Sequence, residues 1–120
     1  MITKEFAQGF AQDWIDSWNT HDLARILSHY SDDFEMTSPF ISTIADESNG
    51  SLKGKENVAK YWQNALTKLP DLKFELRDVL FSINTIVIYY QSVMNKMAAE
   101  VMFFNDQGKV VKSIAHYDSF

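Results

Sequence analysis

Two runs rich in β-branched and aromatic residues, 98–104 and 109–118, flank the polar stretch Asn105-Asp106-Gln107-Gly108. Apolar runs around a short turn ending in Gly predict an antiparallel hairpin at the C-terminal end of the chain. Side chains alternate faces along a strand, so Glu100, Met102 and Phe104 fall on one face. A carboxylate in line with two large apolar side chains is either out of register or a working group, and function is expected around Glu100. An apolar wall disfavours the ionised form and raises the pKa, which suits a hydrogen-bond donor, a general acid or a general base. The structural alternative is an exposed strand residue paired with Lys96.

Upstream, Phe6, Phe10, Trp14 and Trp18 recur every four residues and predict a first helix. Asn19-Thr20-His21-Asp22 interrupts it, and Leu23, Ile26, Leu27 and Tyr30 predict a short second helix. Ser31-Asp32-Asp33 reads as a turn and strand entry, followed by an alternating strand over 34–38 that stops at Pro39. Residues 42–54, with Asp46, Glu47, Ser48, Asn49 and Gly50 in a row, show no period. They read as a long loop, either a lid or merely mobile. Val58, Tyr61, Trp62, Ala65, Leu66 and Leu69 predict a third helix ending before Pro70. Strands are expected over 72–82 and 86–94, with turns at Asn84-Thr85 and Asn95-Lys96. Three helices with one early strand, then antiparallel strands, make an α+β pattern with helices on one face of a curved sheet. At 120 residues the chain has room for one core, so residues 1–120 are expected to form a single domain.

The net charge of −5 and the absence of any Lys or Arg run argue against nucleic acid as a partner. No apolar run approaches the roughly 20 residues that span a bilayer, so no membrane partner is expected. The first residues carry an acid at Glu5 and lack the apolar core of a secretory signal, which points to a cytoplasmic protein. Without cysteine there is no disulfide, thiolate nucleophile or Cys-ligated metal. Three dispersed histidines, with no spaced carboxylate pair, predict no metal site and no cofactor. No Ser-His-Asp arrangement can be read from the spacing. His21 and His29 are expected on the surface at helix ends.

Trp14-Ile15-Asp16-Ser17-Trp18-Asn19 with Asp22-Leu23, then Tyr30-Ser31-Asp32-Asp33-Phe34, resembles the start of the NTF2-like superfamily. Gly54-Lys55-Glu56-Asn57-Val58 leading to Tyr61-Trp62, and the stretch from Phe104 through Asn105 to Val111, resemble its middle and its final hairpin. The likeness covers nearly the whole chain and falls in the SnoaL-like and ketosteroid isomerase-like branch. It implies a cone-shaped barrel: three N-terminal helices on a strongly curved, mostly antiparallel sheet that encloses a deep apolar pocket. It also implies a homodimer through the outer sheet face. Members of the superfamily include isomerases, cyclases, dehydratases, epoxide hydrolases and non-enzymatic association domains, so fold alone assigns no activity.

Laid on the ketosteroid isomerase pattern of an Asp base with Tyr and protonated Asp donors, the donor Tyr falls on Trp14. The base falls on Ser38 and the protonated acid on Glu100. Only Glu100 keeps an acid, so standard ketosteroid isomerase chemistry is not expected. In a pocketed fold Trp14, Trp18, Met36, Phe40, Trp62, Met102 and Phe104 would form an apolar lining for a hydrophobic ligand. Helical spacing equally makes Trp14, Trp18, Tyr61 and Trp62 plain core. Ser38 and Tyr117 would orient the ligand. If the hairpin follows the resemblance, Ser113, Ala115 and Tyr117 point inward, while His116 and Asp118 look out toward a dimer partner. A slip of one residue exchanges the two faces. Three readings follow: a proton-transfer enzyme using Glu100, a non-catalytic ligand-binding domain, or a dimeric association module.

Overall fold

The computed structural model describes residues 1–44 and 49–119. The first helix, α1, spans Lys4–Asn19 and is capped by Thr3, whose hydroxyl accepts from the Phe6 N–H at 3.1 Å. Its four-residue spacing buries Phe10, Trp14 and Trp18, while Phe6 stays partly exposed at the edge of the stripe. Burying a ring such as that of Phe10 stabilises the fold by on the order of 2 kcal/mol. A short α2, Leu23–Leu27, follows with Asp22 as its cap.

Strand β1 covers Tyr30–Thr37, so Tyr30 begins a strand instead of ending a helix. Ser31-Asp32-Asp33 lies inside this strand and not in a turn before it. The pairing of β1 with the last strand shifts register between Tyr30 and Glu35, so these polar residues occupy a bulge. The stretch read as one loop from 42 to 54 is more structured than expected. A short helix α3, Pro39–Ile44, opens on a proline, which suits a first helical position, and a strand β2, Ser51–Lys53, pairs with β1. Residues 45–48, including Asp46, Glu47 and Ser48, lie outside the described residues. The carbonyl of Gly50, a residue at φ +70°, accepts from the Ser38 N–H at 2.9 Å; a Cβ at Gly50 would sit 3.1 Å from the Ser38 carbonyl oxygen.

Helix α4, Lys55–Lys68, buries Val58, Trp62 and Leu66. The remaining strands are β3 Glu75–Phe81, β4 Thr85–Gln91, β5 Met97–Phe104 and β6 Val110–Tyr117. A single 3-10 turn, Val93–Asn95, joins β4 to β5. The predicted hairpin is present: β5 and β6 pair antiparallel around a turn in which Gly108 adopts φ +75°.

The six strands form one sheet in the order β2-β1-β6-β5-β4-β3. Its two outer strands, β2 and β3, are not hydrogen-bonded to each other, so the expected cone-shaped, closed and strongly curled barrel gives way to an open sheet. The sheet is mixed, because β1 runs parallel to β6 while its other pairings are antiparallel. Helix α1 packs on β3 and α4 on β1. The segment entering β3 is tied to the end of α1 by the Asn19 side chain. Its amide donates to the Phe74 carbonyl at 2.9 Å and its Oδ1 accepts from the Phe74 N–H at 2.7 Å. His21, at φ +57°, meets the Leu72 carbonyl through Nε2 at 2.8 Å. These contacts seat Leu72 and Phe74 against the aromatic face of α1. Among the described residues no helix is long and apolar enough to cross a membrane.

Candidate functional site

Strand β5 alternates half-buried and buried positions, which puts Ala98, Glu100, Met102 and Phe104 on the inner face. Strand β6 does likewise: Ser113 and Ala115 are buried, Tyr117 lies on the same side, and His116 is exposed. His116 Nδ1 lies at the Ile114 carbonyl of its own strand, and the Asp118 carboxylate accepts from the Met97 N–H at the end of the strand pair. His29, expected on the surface, is buried instead. Phe10 packs edge-on against its ring, and its two nitrogens face the Ile26 carbonyl and the Asp13 carboxylate, the latter at 2.6 Å.

Between the helices and the inner face of strands β1, β6, β5 and β4 lies a cavity of about 110 Å³. Trp14, Tyr30, Trp62, Tyr90 and Glu100 form its buried depth, and Phe40, Tyr61, Leu69, Val93 and Tyr117 its partly exposed rim. Trp18, Met36 and Phe74 complete the aromatic and apolar wall. The rings pack edge-on more than flat, as in Trp14 against Trp18 and Tyr90, and Trp18 against Trp62.

Glu100 is 4% exposed. Its carboxyl receives a hydrogen bond from the Tyr90 hydroxyl at 3.2 Å. Burial pushes its pKa up from 4.5 to about 7, and the Tyr90 hydrogen bond offsets only part of that rise. The surrounding phenols shift in the same direction as Glu100. Burial and then the Glu100 charge hold Tyr30, Tyr90 and Tyr117 well above the ordinary phenol range, and push Tyr61 up to about 12. Near neutral pH the phenols therefore remain hydroxyl donors, and Glu100 is the lining carboxyl that takes up or releases a proton.

Seven of the residues expected at a site meet here: Trp14, Trp18, Met36, Phe40, Trp62, Glu100 and Tyr117. Ser38 is fully buried behind Tyr117, hydrogen-bonded with its hydroxyl and accepting from the Phe40 N–H at 3.3 Å. Met102 and Phe104 share the face of Glu100 but lie outside the cavity lining. Each pair of residues advances a strand by roughly 7 Å, which carries them toward the far end of the core. Phe104 packs there against Phe6 and Phe10. Spacing did not single out Tyr30, Phe74 and Tyr90. Tyr90 was within reach, because Ile86, Ile88 and Tyr90 alternate on the strand beside β5 and the pairing puts Tyr90 opposite Ala98, diagonal to Glu100. Among the described residues no cluster of three or more His, Asp or Glu side chains could hold a metal ion.

The SnoaL-like domain pattern matches residues 11–118. The chain belongs to the SnoaL-like family. A SnoaL-like protein of unknown function from Burkholderia thailandensis is 48% identical, with a TM-score of 0.96 over 98% of each chain. A proposed isomerase of the SnoaL-like family from Agrobacterium tumefaciens is 15% identical, with a TM-score of 0.76 over 96% of this chain and 99% of its own. IdmH, a proposed polyketide cyclase from Streptomyces antibioticus, is 14% identical, with a TM-score of 0.77 over 93% and 91%. At such identities the last two likenesses establish the fold alone. No curated protein matches the chain. This SnoaL-like domain thus carries the NTF2-like α+β fold anticipated from its sequence motifs.

Proposed function

We propose that this SnoaL-like domain binds a hydrophobic small molecule in the cavity and that Glu100 exchanges a proton with it. The observation that carries the reading is a carboxyl buried among aromatic walls with a pKa of about 7 and one hydrogen-bond donor, Tyr90. A group poised there is present in both protonation states at neutral pH, which is what acid–base catalysis of an isomerisation, cyclisation or dehydration requires. The isomerase and cyclase proposals for the two distant relatives belong to the same chemistry. Trp14, Trp18, Met36, Phe40 and Trp62 would hold the apolar body of the ligand, with Tyr117, backed by Ser38, orienting it at the rim. Ser38 stands where a ketosteroid isomerase base would be, so the reaction is not that of a standard ketosteroid isomerase.

The same Ser38 favours a second reading, a ligand-binding domain without catalysis. In either case the proposed assembly is a homodimer through the outer sheet face. There Leu80, Val87, Val101 and Ile114 line up directly opposite one another across four strands.

Melting curves with a panel of hydrophobic compounds test binding, because a ligand of the folded state raises Tm by mass action. Ligands that bind are then incubated in D₂O, and carbon-bound deuterium is read by mass spectrometry. The native protein is expected to bind and to exchange, and Glu100→Gln to bind without exchange. Exchange that survives in Glu100→Gln removes the role assigned to Glu100. Binding with no exchange in the native protein favours the non-catalytic reading.

A further inference from the structure

The cavity beside Glu100, at about 110 Å³, is smaller than the roughly 150 Å³ apolar cavity that takes the ring of benzene. In proportion to that ring it holds about four heavy atoms. A ring does not fit, but the end of an unbranched chain does.

The rest of such a chain has somewhere to go. Outside the cavity, the loop after α4 and the turn after β4 enclose a groove of about 510 Å³. Leu69, Leu72, Ser92 and Val93 line both spaces, and Leu69 and Val93 belong to the partly exposed rim of the cavity. The groove therefore begins at the cavity's mouth, and Pro70 and Met94 extend its apolar surface outward. Lys68 and Lys73 are balanced there by Asp71 and Glu75, so the groove favours no net charge on a ligand. Among the described residues no Lys, Arg or His lines the inner cavity, and an anion beside Glu100 would lack a counter-ion at a steep desolvation cost. Both spaces suit a neutral molecule.

One polar side chain stands at the junction. The buried positions Ile86, Ile88 and Tyr90 of β4 continue with Ser92, just past the end of the strand. Ser92 is 7% exposed, and its backbone N–H donates to the Lys96 carbonyl at 2.7 Å. Among the described residues its hydroxyl has no hydrogen-bond partner, and the residue lines both the cavity and the groove. A largely buried hydroxyl left unpaired costs free energy that an acceptor on a ligand restores. Tyr90 is already committed to Glu100.

We propose that cavity and groove together take a neutral, unbranched carbonyl compound. Its terminal carbons, about four, lie in the cavity beside Glu100. Its carbonyl oxygen accepts from the Ser92 hydroxyl at the mouth, and its other arm runs out along the groove. This rests on the pocket function proposed above and narrows its ligand to open-chain ketones and acyl compounds.

The test uses the native protein with ¹³C-methyl-labelled methionine, because Met36 lines the cavity and Met94 the groove, while Met1 sits beside Phe6 and lines neither. Met36→Leu and Met94→Leu assign the two signals. The probe is 5-nonanone, whose carbonyl follows a butyl chain from either end, and its branched isomer 2,6-dimethyl-4-heptanone is the control. 5-Nonanone is expected to move the Met36 and Met94 signals along one common saturation curve and to leave Met1 in place. The branched isomer should bind more weakly. Ser92→Ala should weaken 5-nonanone roughly fivefold, the factor for one hydrogen bond. That variant keeps the backbone bond to Lys96, so its fold is not at stake. Movement of one signal alone or of neither overturns the proposal. So does equal or tighter binding of the branched isomer, or undiminished affinity in Ser92→Ala. The pocket function is decided separately by the melting curves with the hydrophobic panel: compounds that raise Tm there, while 5-nonanone fails these tests, sink this proposal and spare the pocket.

Discussion

The Tyr90 hydroxyl donates to Glu100 Oε1 at 3.2 Å across adjacent strands, from a position diagonal to the acid in the β4–β5 ladder. Tyr90 is 1% exposed and Glu100 4%, so the bond lies in a region of low dielectric. One neutral donor does not replace the hydration that a carboxylate loses on burial. Desolvation therefore outweighs the bond, and the acid is held near neutrality.

That balance sets a pH dependence. The folded protein holds the Glu100 proton up to about pH 7, whereas the unfolded chain releases it near 4.5. The stability contributed by the protonated form is complete below 4.5, falls as pH rises toward about 7, and levels off above. The loss is on the order of 3 kcal/mol, at about 1.4 kcal/mol per pH unit. Urea unfolding from pH 4 to 8 should reveal this decline in the native protein and its absence in Glu100→Gln. Carbon-detected NMR should place the Glu100 midpoint near 7; a midpoint near 4 would refute the account.

Tyr90→Phe removes the one hydrogen bond that lowers the Glu100 pKa, so the acid should titrate higher than in the native protein. The unpaired carboxyl should cost about 1–3 kcal/mol of stability. The same NMR titration checks the direction. An unchanged or lower midpoint would mean that Tyr90 does not act on the acid.

At the other side of α1, the Asp13 carboxylate accepts from Arg25 and faces His29. These partners, Arg25 first, hold its pKa below the ordinary 3.8. The stability it contributes is present above 3.8 and is lost as pH falls through its folded value. Asp13→Asn should therefore be less stable than the native protein at pH 6, and the gap should narrow as pH drops toward 3. Denaturant midpoints across that range measure it; a gap that widens on acidification would contradict the sign.

The row of Leu80, Val87, Val101 and Ile114 on the outer face gives the proposed homodimer a single point to attack. Val101→Lys should place a charge in the middle of that contact and yield a monomer by analytical ultracentrifugation, with the Tm of the isolated fold little changed. A native protein that sediments as a monomer, or a variant that remains dimeric, would exclude this face as the contact.

Much of the architecture could be read along the chain because it is local. The spacing of Phe6, Phe10, Trp14 and Trp18 makes α1, and the alternation around Glu100 makes β5, whichever partners they meet. The misreadings share a cause. Ser31-Asp32-Asp33 looks like a turn because a bulge hides its strand character, and Tyr30 fits a helical period although its pairing with Val110 puts it in β1. His29 carries no local sign of burial; Phe10 and Asp13 from α1 pack against it.

The sequence by itself determined the α+β class, the SnoaL-like likeness and the common face of Glu100, Met102 and Phe104, because periodicity and strand alternation are properties of neighbours in the chain. Only the tertiary structure decided that the sheet stays open, that Glu100 is buried with Tyr90 as its partner instead of exposed beside Lys96, and that Met102 and Phe104 fall outside the cavity. Those outcomes depend on strand register and on distance along the sheet, and residues far apart in sequence acquire both only when the chain has packed.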